Sequence, residues 1–182
     1  MAKLIFAMTQ SLDGYVATVD GALEPPLAPP DDALFRHFVD FERTLGGVVY
    51  GRRIYEIMRY WEQDRPDWRP QEHDFAAAWR AHPIWVVSRT LKTVGPNATL
   101  VTGDVEPFVR DLKEKAERDL GVAGPDLASS LTKMGLVDEY HLYFRPVVLG
   151  RGKPYFAGAR PPLHLAAVDR AGDDAVRIIY RS

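Results

Sequence analysis

Gly47-Val48-Val49-Tyr50-Gly51-Arg52-Arg53-Ile54-Tyr55 is the stretch that decides the fold. A short, continuously apolar, β-branched run between two glycines reads as a strand buried on both faces. Arg52 to Trp61 follows with helical character, so the chain leaves a buried strand through a glycine directly into a helix. That unit belongs to parallel sheets, whose strands must be joined by crossovers.

The unit recurs on both sides. Upstream, Leu4 to Met8 reads as a first strand, with turn chemistry in Ser11-Leu12-Asp13-Gly14-Tyr15. Residues 20–30, with Pro25, Pro26, Pro29 and Pro30, read as a stiff loop. Asp31-Asp32 then opens a helix with apolar positions at Leu34, Phe35, Phe38, Val39 and Leu45. Downstream, Gln71 to Ala81 is helical, Ile84 to Ser88 and Thr99 to Thr102 are strands, and Asp104 caps a helix predicted to run to about Leu120. Val122 to Asp126 is a strand-to-helix turn, and the helix after it ends near Met134-Gly135. Glu139 to Leu149 reads as a buried strand. Leu163 to Val168 and Val176 to Tyr180 close the chain as a hairpin joined by Asp169 to Asp174. The order predicts a three-layer α/β fold: a mainly parallel central sheet, helices on both faces and a C-terminal antiparallel hairpin.

Composition narrows the function classes. The 182 residues suit one domain, 1–182. The absence of cysteine excludes disulfides, thiolate metal sites and cysteine nucleophiles. A net charge of −2 gives no polyanion-binding surface, so no nucleic-acid partner is expected. The apolar run at the N-terminus is too short for a membrane span and lacks a signal-peptide core, which points to a cytoplasmic protein. His37, His73, His82, His141 and His164 show no metal-ligand spacing, so no metal site is expected. Neither a G-x-S-x-G elbow nor a G-x-x-x-x-G-K loop is present.

Parallel sheets bind ligands beyond the carboxyl ends of their strands. Three such ends carry glycine or cations. At Gly51-Arg52-Arg53-Ile54 a helix start and two guanidinium groups suit a phosphate; an ordinary turn with solvated arginines is the plainer alternative. Ser88-Arg89 repeats that chemistry, against a simple cap or turn. Val122-Ala123-Gly124-Pro125-Asp126-Leu127 lets a ligand approach the backbone at Gly124, against a plain strand–helix connection. It is not the G-x-G-x-x-G fingerprint.

Taken in order, these pieces resemble the dihydrofolate-reductase-like superfamily. They are most similar to the reductase domain of riboflavin-biosynthesis deaminase-reductases. The resemblance is carried by Ser11 to Ala17, Gly51 to Glu56, Val87 to Leu91, Ala123 to Leu127, Gly135 to Tyr140 and Arg145 to Phe156. It implies hydride transfer from NADPH to a small-molecule substrate of the 5-amino-6-(5-phosphoribosylamino)uracil type. Dihydrofolate or another small molecule is the alternative substrate, and a nucleotide-binding module without turnover is the alternative of another class. It further implies that Ala7 and Ala17 flank the nicotinamide and that Gly51, Arg52, Arg53 and Ile54 hold the adenosine-side phosphates. Ser88 and Arg89 would lie near the 2′-phosphate, and Val122, Ala123, Gly124, Pro125, Asp126 and Leu127 would cover the diphosphate and nicotinamide. Asp31 or Asp32 would supply the catalytic carboxylate, a place where helix capping explains an Asp equally well. Arg151 and Lys153 are candidates for a substrate phosphate. A homodimer is implied too. The chain departs from the family pattern at Ala123, where a glycine is usual, and at Ile54, where a threonine is common.

Overall fold

The computed structural model describes residues 1–23, 27 and 30–182. Of the expected proline loop, Pro25, Pro26 and Pro29 lie outside the described residues.

Strand β1 (Leu4–Gln10) is the spine of an eight-stranded sheet. It pairs in parallel with β6 (Leu120–Ala123) on one side and β7 (Glu139–Phe144) on the other. Beyond β6 come β3 (Gly47–Gly51), β4 (Ile84–Val87) and β5 (Ala98–Val101), all parallel. Beyond β7 come β10 (Ala175–Arg181) and β9 (His164–Ala171), both pairings antiparallel. The mainly parallel sheet with a terminal hairpin is the fold the sequence predicts. A separate short pair, β2 (Tyr15–Ala17) with β8 (Lys153–Pro154), stands outside that sheet, with β2 packed beside β1.

Alternation along the strands builds two cores. On one face, Leu4, Phe6, Leu120 and Val122 meet Val109 of helix α4 (Val105–Lys115) and Ala128 and Leu131 of α5 (Pro125–Lys133). On the other, Val48, Tyr50, Ile84 and Val86 meet Phe35 and Val39 of α1 (Asp32–Thr44) and Phe75 and Trp79 of α3 (Pro70–Arg80). Between β3 and α3, helix α2 (Arg52–Met58) runs into a 3-10 turn, Arg59–Trp61. Gly121 is needed where it stands, because a Cβ there would lie 2.6 Å from Val48 Cγ1.

Three boundaries differ from expectation. Helix α4 stops at Lys115, not near Leu120, because Leu120 is claimed by the sheet, where it pairs with Leu4. Ala116, inside the predicted span, is its C-cap. Strand β7 stops at Phe144, not Leu149: Pro146 has no N–H to donate, and the N–H groups of Leu149 and Gly150 turn to Asp13. The hairpin loop is tighter than Asp169 to Asp174, since β9 continues to Ala171 and Asp169 pairs in register with Arg177.

Candidate functional site

The carboxyl ends of β1, β3 and β6 open into two adjoining compartments. The larger, of about 580 Å³, is walled by Val16 and Ala17 of β2, Gly51 to Ile54, Gly124 to Leu127 and Lys153 of β8. The smaller, of about 310 Å³, lies between α1 and the sheet, with Thr9 and Met58 as well as Ile5, Leu45 and Gly121 in its lining. Met8, Val16, Leu23 and Ile54 line both, so the two share a wall.

The larger compartment gathers ten of the residues singled out in the sequence: Ala17, Gly51, Arg52, Arg53, Ile54, Gly124, Pro125, Asp126, Leu127 and Lys153. Ala7, Val122 and Ala123 line the smaller one, with Ile54 again. The strand register explains the convergence: Tyr50 pairs with Ala123 and Phe6 with Val122, so the chain exits of β1, β3 and β6 stand side by side.

Gly124 sits at φ +99°, ψ 116°, a conformation for which a side chain is a burden, and a Cβ there would lie 3.3 Å from Ile54 Cγ2. The first internal bond of α5 runs from the Ala128 N–H to the Gly124 carbonyl (3.0 Å). Pro125 has no N–H, and those of Asp126 and Leu127 fall outside the helix's own ladder, as at any helix start. Arg52 is held in place: its Nε donates to Glu56 Oε1 (2.8 Å) and its Nη1 to Thr90 Oγ1 (2.9 Å). Arg53 makes no side-chain hydrogen bond or ion pair among the described residues and is exposed on the compartment's rim. Two guanidinium groups, a lysine and a glycine cradle on one wall fit an anionic dinucleotide.

Ser88 and Arg89 line neither compartment. Ser88 Oγ accepts from the N–H groups of Thr90 and Leu91 (3.2 and 3.1 Å), a cap for that turn, and Arg89 is exposed. The turn reaches the site indirectly, through the Arg52–Thr90 bond.

Asp31 and Asp32 also stand outside both compartments. Asp31 is the N-cap of α1: Oδ1 accepts from Leu34 N–H (2.8 Å) and Asp173 N–H (3.3 Å). Burial would raise its pKa, but those bonds and the nearby Arg145 charge outweigh it and hold the carboxyl below its ordinary range. Asp32 takes bonds from Arg69 Nη1 (2.8 Å) and Gln71 Nε2 (2.7 Å). Capping occupies Oδ1 of Asp31 while its Oδ2 is buried without a hydrogen-bond partner among the described residues, and Asp32 is held by Arg69 and Gln71.

The sequence reading passed over Glu42, which lines the smaller compartment. It follows Phe35, Phe38 and Val39 at helical spacing, so a charged residue occupies an apolar position, and that was its available signal.

No helix among the described residues is long and apolar enough to cross a membrane, and no cluster of His, Cys, Asp and Glu among them could hold a metal ion.

A family model described as the RibD C-terminal domain matches residues 2–176. A protein from Shewanella sp. PV-4, provisionally assigned to riboflavin biosynthesis, superposes with a TM-score of 0.75 at 24% identity, covering 100% of this chain and 98% of its own. A Thermotoga maritima diaminohydroxyphosphoribosylaminopyrimidine deaminase/5-amino-6-(5-phosphoribosylamino)uracil reductase gives 0.68 at 16% identity, covering 99% of this chain and 56% of its own. Dihydrofolate reductase from Enterococcus faecalis, complexed with NADP(H) and an inhibitor, gives 0.61 at 15% identity, covering 98% and 95%. At these identities the superpositions establish a dihydrofolate-reductase-like fold.

Proposed function

The chain belongs to the RibD C-terminal domain family, and from that membership we propose that it is a reductase using NADPH. The observation that carries this reading is the shared wall: a compartment with a glycine cradle and two arginines abuts a mostly apolar one along Met8, Val16, Leu23 and Ile54. The E. faecalis relative in fold binds NADP(H), which supports the same cofactor here.

Arg52 and Arg53 would hold the phosphates of the dinucleotide, and Gly124 to Leu127 its diphosphate, with Ala7 and Ala17 on either side of the nicotinamide. When bound, the cofactor supplies a hydride. The protein supplies orientation: Ile54 and Val16, at the shared wall, fix how closely the two ligands approach, and the apolar lining excludes water.

Among substrates, the smaller compartment favours an unphosphorylated molecule over a phosphoribosyl one. Its described lining contains no lysine, arginine or histidine. A phosphate group would have to reach out to Lys153 in the larger compartment. A homodimer belongs to this proposal; exposed Leu165, Val168 and Val176 on the outer strands β9 and β10 support it, and light scattering of the purified protein tests it.

The test of the reading is a titration with NADPH and with NADH, followed by the fluorescence of the four tryptophans. Micromolar or tighter NADPH binding with much weaker NADH binding is expected. Binding of neither would leave the fold without the function.

A further inference from the structure

Strand β7 ends at Phe144, but its ladder runs one residue further: the Arg145 N–H donates to the Gln10 carbonyl at 2.8 Å. Side chains alternate along a strand, so Arg145 leaves the sheet on the face of Tyr143. That face is covered by α1, where Tyr143 Oη meets His37 Nε2 at 3.0 Å. Tyr143 pairs in register with Thr9, and both line the smaller compartment, as does Pro30. Arg145 therefore stands in the next layer beyond those residues, beside Asp31. Against the pull of burial, the Leu34 and Asp173 bonds and the Arg145 charge together keep the Asp31 carboxyl below its ordinary range. The Arg145 guanidinium makes no side-chain hydrogen bond or ion pair among the described residues. Its Nε and Nη1 are buried without a partner, as is Asp31 Oδ2, while Nη2 is open.

The neighbouring cations are committed. Arg177 forks onto Asp169 through Nε (3.0 Å) and Nη2 (2.9 Å), and Arg170 donates to the carbonyls of Gly172 and Asp173. Arg145 is different. A guanidinium serving only as counter-ion to Asp31 would bond it, and no bond joins the two. Buried N–H groups of a charged side chain are costly without an acceptor, and a ligand that brings one removes the cost. The open Nη2 and a neighbouring nitrogen form an edge that a carboxylate matches with two parallel hydrogen bonds. The Asp31 charge behind Arg145 favours a singly charged group over a phosphate dianion. The compartment next to it holds about 310 Å³, enough for a bicyclic apolar body.

We propose that Arg145 is the anion anchor of the smaller compartment, and that the compartment takes an apolar carboxylic acid whose body fills the slot and whose carboxylate forks onto the Arg145 guanidinium. Asp31 orients that guanidinium from the side away from the ligand. The lining itself supplies no cation among its described residues, so the charge preference of the ligand is set at this one residue beyond it. As a statement about a substrate this rests on the proposed reductase reading; as a statement about a ligand it does not.

The test compares 2-naphthoate with 2-acetylnaphthalene, near-isosteric probes that differ in the charge. Binding of each to the wild type, Arg145→Gln and Arg52→Ala is measured by titration calorimetry, beside an NADPH titration of the wild type. The wild type should prefer the carboxylate by about tenfold or more, since a charge-assisted hydrogen bond is worth that much. Arg145→Gln should lose the preference, and Arg52→Ala, altered in the larger compartment, should keep it. Equal binding of the two probes by the wild type, binding of neither, or a preference that survives in Arg145→Gln overturns the proposal. So does a preference lost in Arg52→Ala, which would put the carboxylate in the larger compartment. Should Arg145→Gln not fold, Arg145→Lys serves in its place: it keeps the charge without the fork, so the preference should shrink, and an unchanged preference overturns the proposal. A wild type that prefers naphthoate in this way yet binds no NADPH upholds Arg145 and removes the reductase reading.

Discussion

Ile54 and Gly124 touch across the wall of the larger compartment: a Cβ at position 124 would stand 3.3 Å from the Ile54 Cγ2 methyl. Two separate costs therefore meet in Gly124→Ala. One is conformational, because φ is +99°; residues forced into such regions pay roughly 1–3 kcal/mol. The other is the crowding of Ile54. The variant should melt several degrees lower, at roughly 2–4 °C per kcal/mol for a chain of this size. Adding Ile54→Val should return only the crowding part. Calorimetry of the single and double variants separates the two, and full recovery in the double variant would show that the backbone cost is negligible.

Arg52 and Arg53 are neighbours with different commitments. Arg52 is already bonded to Glu56 and Thr90, so it is preorganised, whereas Arg53 has no partner among the described residues. Arg52→Ala should weaken NADPH at least about tenfold more than NADH if its guanidinium meets the 2′-phosphate, as a hydrogen bond between charged groups is worth roughly 1.5–3 kcal/mol. Arg53→Ala should lower both affinities by a similar and smaller factor, the signature of a rim charge facing a phosphate that both cofactors share. Parallel titrations check this; equal losses for the two cofactors in Arg52→Ala would move the 2′-phosphate elsewhere.

The way these residues became visible has a physical reason. Gly51 to Ile54 and Ala123 to Leu127 lie directly at strand ends, so a local pattern reports their place beside the site. Ser88 and Arg89 show the same pattern, yet their turn closes on itself through the Ser88 cap. A strand end says that a residue is near the ligand edge of the sheet, and not which way the following loop travels. The Asp31-Asp32 pair is ambiguous for a related reason. Helix capping and ligand binding ask for the same residue type: Leu34 N–H takes one Asp31 oxygen and Arg69 and Gln71 take Asp32, while both residues stand outside the two compartments. Glu42 was invisible to a search for apolar periodicity because only its neighbours were counted. The β2–β8 pair escaped because strands of three and two residues carry no measurable alternation.

Gly152 is the point where the rim of the larger compartment is pinned. A Cβ there would overlap the Ala17 carbonyl and lie 3.1 Å from Tyr15 Cβ. Gly152→Ala must therefore separate β8 from β2, moving Ala17 and Lys153, both of which line the compartment. The short pair lies outside the eight-stranded sheet, so melting temperature should change little while NADPH binding weakens by about tenfold. A large fall in melting temperature would mean that the pair is an integral part of the core.

Glu139 sets the acid response of the fold. It is 6% exposed and accepts from Lys3 Nζ (2.9 Å), Arg181 Nε (2.9 Å) and His141 Nε2 (3.1 Å). Burial alone would raise its pKa, but the three donors and the Lys3 charge overcome that and bring it down from 4.5 to about 2. A carboxyl whose folded pKa is depressed binds its proton more readily in the unfolded chain. Its contribution is therefore complete above about 4.5 and is lost as pH falls from there towards 2. His141 acts in the same sense from higher pH. Burial lowers its pKa below 6.5, against the Glu139 bond, so acidification through that value also favours the unfolded chain. Urea midpoints at pH values of roughly 6, 4 and 3 should thus fall steadily for the wild type. Glu139→Gln should start lower at pH 6 and descend less steeply between pH 4 and 3, because the titrating group of that window has been removed. Parallel slopes for the two proteins would assign the acid loss to other carboxylates.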